Sequence, residues 1–308
     1  MAYHLKSGES VPDGLRRLVR EELRSAAAEL SSSNTGDRDE SIHEARKSVK
    51  KIRAVLRLVR PSLGDIYAAE NARFRDTGRK LSEFRDAGAI IETFDQLRDK
   101  YRPELGTVTL RAIRTRLVKE KLERDQSADI EQVLARCASS LRGAIRRVRS
   151  WPFPHEGFAA IGPGFEATFR RGRQAMERAR KHGSDEDFHE WRKAVKYHWY
   201  HIRLLEKSWT DVLTAYEKSL KDLETWLGDD HNLVVFRSRI EANPAAYGAP
   251  QTTTIAMGLI AKYQKELRAN ALSLGERIYL EKPVHFRHHM NGVWDAWKSQ
   301  PKSMKKVA

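Results

Sequence analysis

One segment of this chain occurs twice. Residues 39–63, DESIHEARKSVKKIRAVLRLVRPSL, align without a gap with residues 185–209, DEDFHEWRKAVKYHWYHIRLLEKSW, at an offset of 146. His43/His189, Glu44/Glu190, Arg46/Arg192, Lys47/Lys193, Val49/Val195, Lys50/Lys196, Arg57/Arg203 and Leu58/Leu204 are identical pairs. The same offset pairs Arg75 with Lys221, Leu81 with Leu227 and Arg85 with His231. An earlier stretch beginning at Gly14 pairs with one beginning at Gly164, at an offset of 150. Self-similarity on this scale means two copies of one supersecondary unit. The expected domains are therefore 1–153 and 154–308, separated at the W-P-F-P segment 151–154, where two prolines stop any helix.

Each copy reads as helix. Over 42–60 the apolar residues Ile42, Ala45, Val49, Ile52, Leu56 and Val59 recur at helical spacing. Pro61 and Gly64 mark the end of that helix. Further helices are expected over 14–30, 66–87, 89–101, 108–125, 128–150, 164–179, 188–206, 211–227, 233–242, 252–274 and 284–298. A turn is expected at Gly228–Asn232, and irregular chain over 243–251. No segment alternates like a strand. The expected fold is all-α: two antiparallel four-helix bundles, related by the repeat as a pseudo-two-fold.

The repeat also separates packing positions from others. Apolar positions change size between copies, as in Ile52/His198 and Val55/His201. On the opposite face His43, Arg46, Lys47, Lys50 and Arg57 keep their identity in the second copy. His43, Arg46, Lys47, Lys50, Arg53 and Arg57 fall within a sector of roughly 120° on a helix of about 100° per residue. From Ala45 to Arg60 there are seven Lys or Arg and no Asp or Glu. Solvated helices usually relieve such a run with Glu one turn away, because like charges at that spacing repel. A face that stays one-signed in both copies points to an anionic partner. In the second copy the strip is His189, Arg192, Lys193, Lys196 and Arg203, with Trp199 standing where the first has Arg53. Arg75 and Arg79 share the polar face of the following helix. The whole chain carries 57 Lys and Arg against 42 Asp and Glu, a net charge of +15, which attracts anions through the overall field.

Other chemistry finds little support. The single cysteine, Cys137, excludes an internal disulfide and a four-cysteine metal site. His198 with His201, and His285, His288 and His289, have ligand-like spacing but no accompanying Cys cluster or His-Glu-x-x-His motif. No metal and no cofactor is expected. No Gly-rich phosphate loop or G-x-S-x-G motif is present. Asp229 and Asp230 are adjacent carboxylates that would suit Mg²⁺, though a polar turn accounts for them equally. The N-terminal residues MAYHLKSGESVPDG contain no apolar core of a signal peptide, and no apolar run has the length of a membrane span. The cytoplasm is the expected location.

HEARKSVKKIR and HEWRKAVKYHW resemble the two histidine motifs of the CHAD family, the conserved-histidine α-helical domain. Leu81-Ser82-Glu83-Phe84-Arg85-Asp86-Ala87-Gly88-Ala89, and Leu227-Gly228-Asp229-Asp230-His231-Asn232-Leu233, resemble the motif that follows. Ser82, Gly88 and Asn232 depart from it, standing for a glycine and two aspartates. The resemblance implies two four-helix bundles around a basic channel that binds inorganic polyphosphate, often at polyphosphate granules in bacteria. By motif match the binding residues would be His43, Arg46, Lys47, Lys50, Arg57, His189, Arg192, Lys193, Lys196 and Arg203, with Arg85 and His231 from the second motif. It implies no catalysis, since the E-x-E-x-K signature of the triphosphate tunnel enzymes fused to some members is absent.

This chemistry suits a phosphate chain, which offers charge but no bases to read. Arginine forks onto two phosphate oxygens, and lysine supplies compact point charges. Nucleic acid is the second candidate, with Trp191, Tyr197, Trp199 and Tyr200 as stacking residues. Against it, the first copy has Ala45, Lys51, Arg53 and Ala54 at those places, so no paired stacking platform exists. On the helical wheel Trp191 falls on the apolar side and Tyr200 near the basic strip.

Overall fold

The computed structural model describes residues 3–32, 38–105, 110–125 and 130–300; side chains at 32, 85–87, 124 and 125 lie outside the description. Twelve α-helices are present among the described residues, and no strand: α1 Val11–Ser32, α2 Arg38–Leu58, α3 Arg60–Leu63, α4 Asp65–Lys100, α5 Arg102–Leu105, α6 Arg111–Asp125, α7 Ile130–Arg149, α8 Gly162–His182, α9 Asp185–Leu205, α10 Thr210–Ala242, α11 Pro250–Ile278 and α12 Pro283–Ser299. The tail 301–308 and the middle of the loop before α2 fall outside the described residues.

The apolar face of α2 is buried as its spacing predicts: Ile42, Ala45, Val49, Ile52, Leu56 and the following Val59 are all in the core. On α9 the corresponding face carries Phe188, Trp191, Val195, His198, Ile202 and Leu205. Gly183, with φ +69°, ends α8 in the left-handed conformation and donates its N–H to the Ala179 carbonyl (2.9 Å). Ser184 then caps α9, its Oγ accepting from the Asp187 N–H (3.1 Å). Asp185, Glu186 and Asp187 fill the first turn, where the helix dipole favours carboxylates.

α1 packs against α2 and α7, and α2 against α4. In the second half α8 packs on α9 and α12, α9 on α10, and α10 on α11. The halves meet where α2 crosses α8 and α9, and where α4 lies on α10. At the first crossing a Cβ on Gly164 would stand 1.8 Å from the Leu58 carbonyl oxygen, so only glycine permits the approach. His201 donates Nε2–H to the Ala54 carbonyl at the same junction (2.8 Å).

Two regions differ from the expectation. The segments 66–87 and 89–101 are one continuous α4 of 36 residues. Likewise α10 runs for 33 residues straight through Gly228–Asn232, where a turn is expected from composition. The reason is tertiary. One apolar cluster takes in α1, α2, α7, α8, α9, α12, the N-terminal parts of α4 and α10 and the C-terminal part of α11. A second gathers Ile90, Phe94 and Leu97 of α4 with Ile113 and Leu117 of α6, Leu233, Phe236 and Ile240 of α10, and Ala256 and Ile260 of α11. Each long helix is gripped at both ends, so its polar middle stays helical. Both clusters draw on residues from both sides of 153/154. The W-P-F-P segment is itself partly inside: Trp151 is buried in the first cluster, and its carbonyl accepts from Arg16 Nη2 (2.9 Å).

Candidate anion-binding groove

Between the two clusters, α2, α4, α9 and α10 enclose a groove of about 680 Å³. Its wall carries seven Lys or Arg side chains, Arg46, Lys50, Arg53, Arg192, Lys193, Lys196 and Lys221, and three histidines, His43, His189 and His231. Against these stand three carboxylates, Glu92, Glu224 and Asp229. The remaining polar wall is made largely by Ser82, Tyr197, Tyr200, Thr225 and Asn232.

The expected site residues divide in space. Ten of them line this groove, as just named. Lys47 sits outside it, paired with Glu44 (2.6 Å), although its counterpart Lys193 makes the same i,i+3 pair with Glu190 (2.5 Å) and does line the groove. Arg57 and Arg203 are spent on aromatic faces. Arg57 lies 4.3 Å over the Tyr197 ring, and Arg203 lies 5.1 Å over Trp199 while also pairing with Glu217 (3.2 Å). Arg75 and Arg79 are exposed beside Asp76 on α4, and Arg79 lines a separate, smaller pocket with Lys80, Glu83, Val133 and Arg136. The side chain of Arg85 lies outside the described residues.

The groove contains cations at close quarters, and their protonation shows it. Burial, together with Lys196, Arg46 and Arg192, pushes the Lys50 amine down to about 6. Burial also lowers Lys196, but Glu224 opposes the shift by accepting from its Nζ (2.5 Å). Glu224, 5% exposed, also accepts from Lys221 (2.9 Å). Burial alone would raise this carboxyl; Lys196, Lys221 and Arg192 outweigh it and hold Glu224 well below the usual carboxylate range. Asp229 has gone the other way, to about 6, through burial and the nearby Glu224 charge. The His189 and His231 rings lie 4.2 Å apart. Burial and the charges of Arg192 and Lys193 lower both, His231 to about 3.

Asp229 and Asp230 do not converge on a shared ion. Asp229 faces the groove, whereas Asp230 accepts from Arg268 Nε (2.7 Å) and Gln264 Nε2 (3.1 Å) on α11. Among the described residues no group of three His, Cys, Asp or Glu side chains is arranged to hold a metal ion. His198 and His201 are core residues, not ligands: His198 sits among Phe165, Phe169, Tyr216, Tyr279 and Phe286. Among the described residues, no helix is long and apolar enough to cross a membrane.

The family profile of the CHAD domain matches residues 15–241. The chain belongs to the CHAD family. Among curated proteins none matches it. The CHAD match runs from α1 to the last turn of α10 and so includes every helix that walls the groove; α11 and α12 lie beyond it. Those two helices complete the packing of this CHAD chain, α11 against α10 and α12 against α8.

Of the three carboxylates in the wall, sequence reasoning singled out Asp229 and missed Glu92 and Glu224. Glu224 follows Lys221 by three residues, a spacing that reads as an ordinary solvated pair. Nothing local reveals that it is buried beside Lys196 from another helix. Tyr197 and Tyr200, the candidates for stacking on bases, are both in the wall, but Tyr200 is 2% exposed and Arg57 occupies a face of Tyr197.

Proposed function

We propose that this chain binds inorganic polyphosphate non-catalytically in the groove between α2, α4, α9 and α10. The observation that carries the reading is the composition of one wall: seven Lys or Arg drawn from both repeat copies, opposed by three carboxylates. A phosphate chain supplies a row of oxygens to arginine forks and lysine amines and needs no other recognition. Membership of the CHAD family supports the same ligand, through the polyphosphate binding that the resemblance implies. In this reading the two copies form two related helical units about a pseudo-two-fold axis, with α2 and α9 contributing equivalent strips. The protein works in the cytoplasm, at polyphosphate granules.

The test is binding to long-chain polyphosphate across a salt series, for the native chain and for Lys47→Glu/Lys50→Glu and Lys193→Glu/Lys196→Glu. Affinity of the native chain falls steeply with salt, by analogy with the release of counterions from DNA. Both double variants bind more weakly and with a shallower salt dependence. If both bind like the native chain, the groove is not the site; if only one is affected, the paired strips do not act together.

Nucleic acid is the second reading, favoured by Tyr197 and Tyr200 in the wall. Competition separates the two: polyphosphate displaces a labelled oligonucleotide at far lower phosphate equivalents than the reverse. A hydrolase reading rests on Asp229 and Glu224 in the same wall. Phosphate release from long-chain polyphosphate with Mg²⁺ would overturn the non-catalytic reading.

A further inference from the structure

Lys50 and Lys196 hold equivalent places in the two copies, and both line the groove. Their counter-charges differ. Lys196 Nζ is held by the buried Glu224 carboxylate at 2.5 Å. The residue 146 positions before Glu224 is Gly78, so the first copy has no carboxylate at that place. Among the described residues, the Lys50 amine makes no ion pair and no hydrogen bond. It faces Arg46 on its own helix, Arg192 and Lys196 on α9, and the opposing charge of Glu224 on α10, which Lys196 and Lys221 already engage. Burial withdraws it from bulk water without closing it off: it keeps partial exposure in the groove wall, where a small reagent reaches it.

An amine withdrawn from water, crowded by cations and short of a counter-ion sheds its proton, and a neutral amine is a nucleophile. The downward shift of Lys50 noted above agrees with that arrangement. The flanking guanidinium groups select the electrophile, because they attract a phosphate and stabilise it as it leaves.

We propose that Lys50 is a site of covalent acylation, with acyl phosphates as the reagent class. The neutral Nζ attacks the acyl carbon, a C–N bond forms, and the C–O bond to phosphorus breaks. Inorganic phosphate departs with the bonding pair, and the proton lost from nitrogen goes to water or to that phosphate. The product is an amide, and the groove loses a group able to carry positive charge. The inference rests on the groove's geometry and not on its occupant.

The experiment uses the full chain and acetyl phosphate at pH 7, with the acetylation of each lysine followed over time by peptide mass spectrometry. Lys181 and Lys265, both exposed, serve as references. Lys50 acetylates about tenfold faster than either, because an ordinary amine is neutral in only about one molecule in a thousand or fewer at this pH. Lys196 stays slow in the native chain and becomes fast in Glu224→Gln, which removes its counter-charge. Lys50→Arg abolishes the fast site while the circular dichroism spectrum is unchanged. Lys50 reacting no faster than Lys181 and Lys265 overturns the proposal. So does a Lys50 that is fast with acetic anhydride but ordinary with acetyl phosphate, since the anionic reagent would then not be recruited. Long-chain polyphosphate that leaves a fast Lys50 unprotected counts against polyphosphate as occupant and leaves this site standing.

Discussion

The rings of His189 and His231 lie 4.2 Å apart, tilted by 31°, in the wall of a groove that also holds Arg192 and Lys193. Both imidazoles are lowered, His231 to about 3, so the pair is largely neutral at pH 7 in the empty groove. An anionic chain reverses the sign of the local field and raises both, so binding takes up protons. Affinity for polyphosphate is therefore expected to be higher at pH 6 than at pH 8 at matched ionic strength. Lys50, lowered to about 6, adds to the effect. The measurement is a pH series on the native chain, His231→Gln and Lys50→Arg. A pH-independent affinity would remove these three groups from the grip.

Arg192 and Arg57 look alike in the repeat but should behave differently on substitution. Each has a buried Nε without a hydrogen-bond partner, but Arg192 lines the groove, where an anion reaches its guanidinium, whereas Arg57 lies outside it against Tyr197. Arg192→Ala should flatten the salt dependence of polyphosphate binding by about one in slope, as loss of one phosphate contact does. Arg57→Ala should leave that slope unchanged and lower stability by about 1 kcal/mol, through loss of the Tyr197 stacking contact. Equal effects on binding would place Arg57 in the site.

His198 gives the fold an acid limit. It is 1% exposed, neither ring nitrogen has a partner, and burial lowers it to about 3. The folded state accepts only the neutral ring. Its contribution is thus complete above the unfolded value near 6.5 and is lost as pH falls below that towards 3. Between pH 7.5 and pH 5 the loss is about 2 kcal/mol, at roughly 1.4 kcal/mol for each pH step below the unfolded value. In His198→Phe the difference in urea-unfolding stability between those two pH values shrinks by that amount, whatever the larger ring costs in packing. An unchanged difference would assign the acid sensitivity elsewhere, with His201 next in line, lowered to about 4 by the same burial.

Gly164 sets how closely α8 approaches α2. A Cβ there would stand 1.8 Å from Leu58 O and 2.5 Å from Leu58 C, backbone atoms that no rotamer change can move aside. Gly164→Ala should cost about 3 kcal/mol or more, the upper range for overpacking. Thermal unfolding checks it; a loss within a few tenths of a kcal/mol would show that the helices slide apart without penalty.

Much of this was legible in the sequence. The buried face of α2 follows the spacing of Ile42, Ala45, Val49, Ile52 and Leu56 residue by residue, because amphipathic periodicity is a local code for burial. The basic face was legible as a set but not in its division. Arg57 and Arg203 differ from Arg46 and Arg192 through Tyr197, Trp199, Tyr3 and Glu217, which reach them in three dimensions. Glu224 shows the same limit more sharply, since its partner Lys196 comes from another helix. The expected turn at Gly228–Asn232 rests on the local preferences of Gly, Asp and Asn, which tertiary packing overrides within α10. Both apolar clusters draw on the two halves, through contacts between helices distant in sequence that local periodicity does not encode.

The long helices α4 and α10 pass from one apolar cluster to the other, and the groove lies along the spans between. Each behaves as a beam supported at its two ends. A span held this way does not need apolar side chains of its own to stay straight. Ser82, Thr225, Gly228 and Asn232 belong to neither cluster, yet all face the groove. The wall can therefore be rewritten at these places without disturbing what keeps the chain folded, which makes recognition and stability separately adjustable in this architecture.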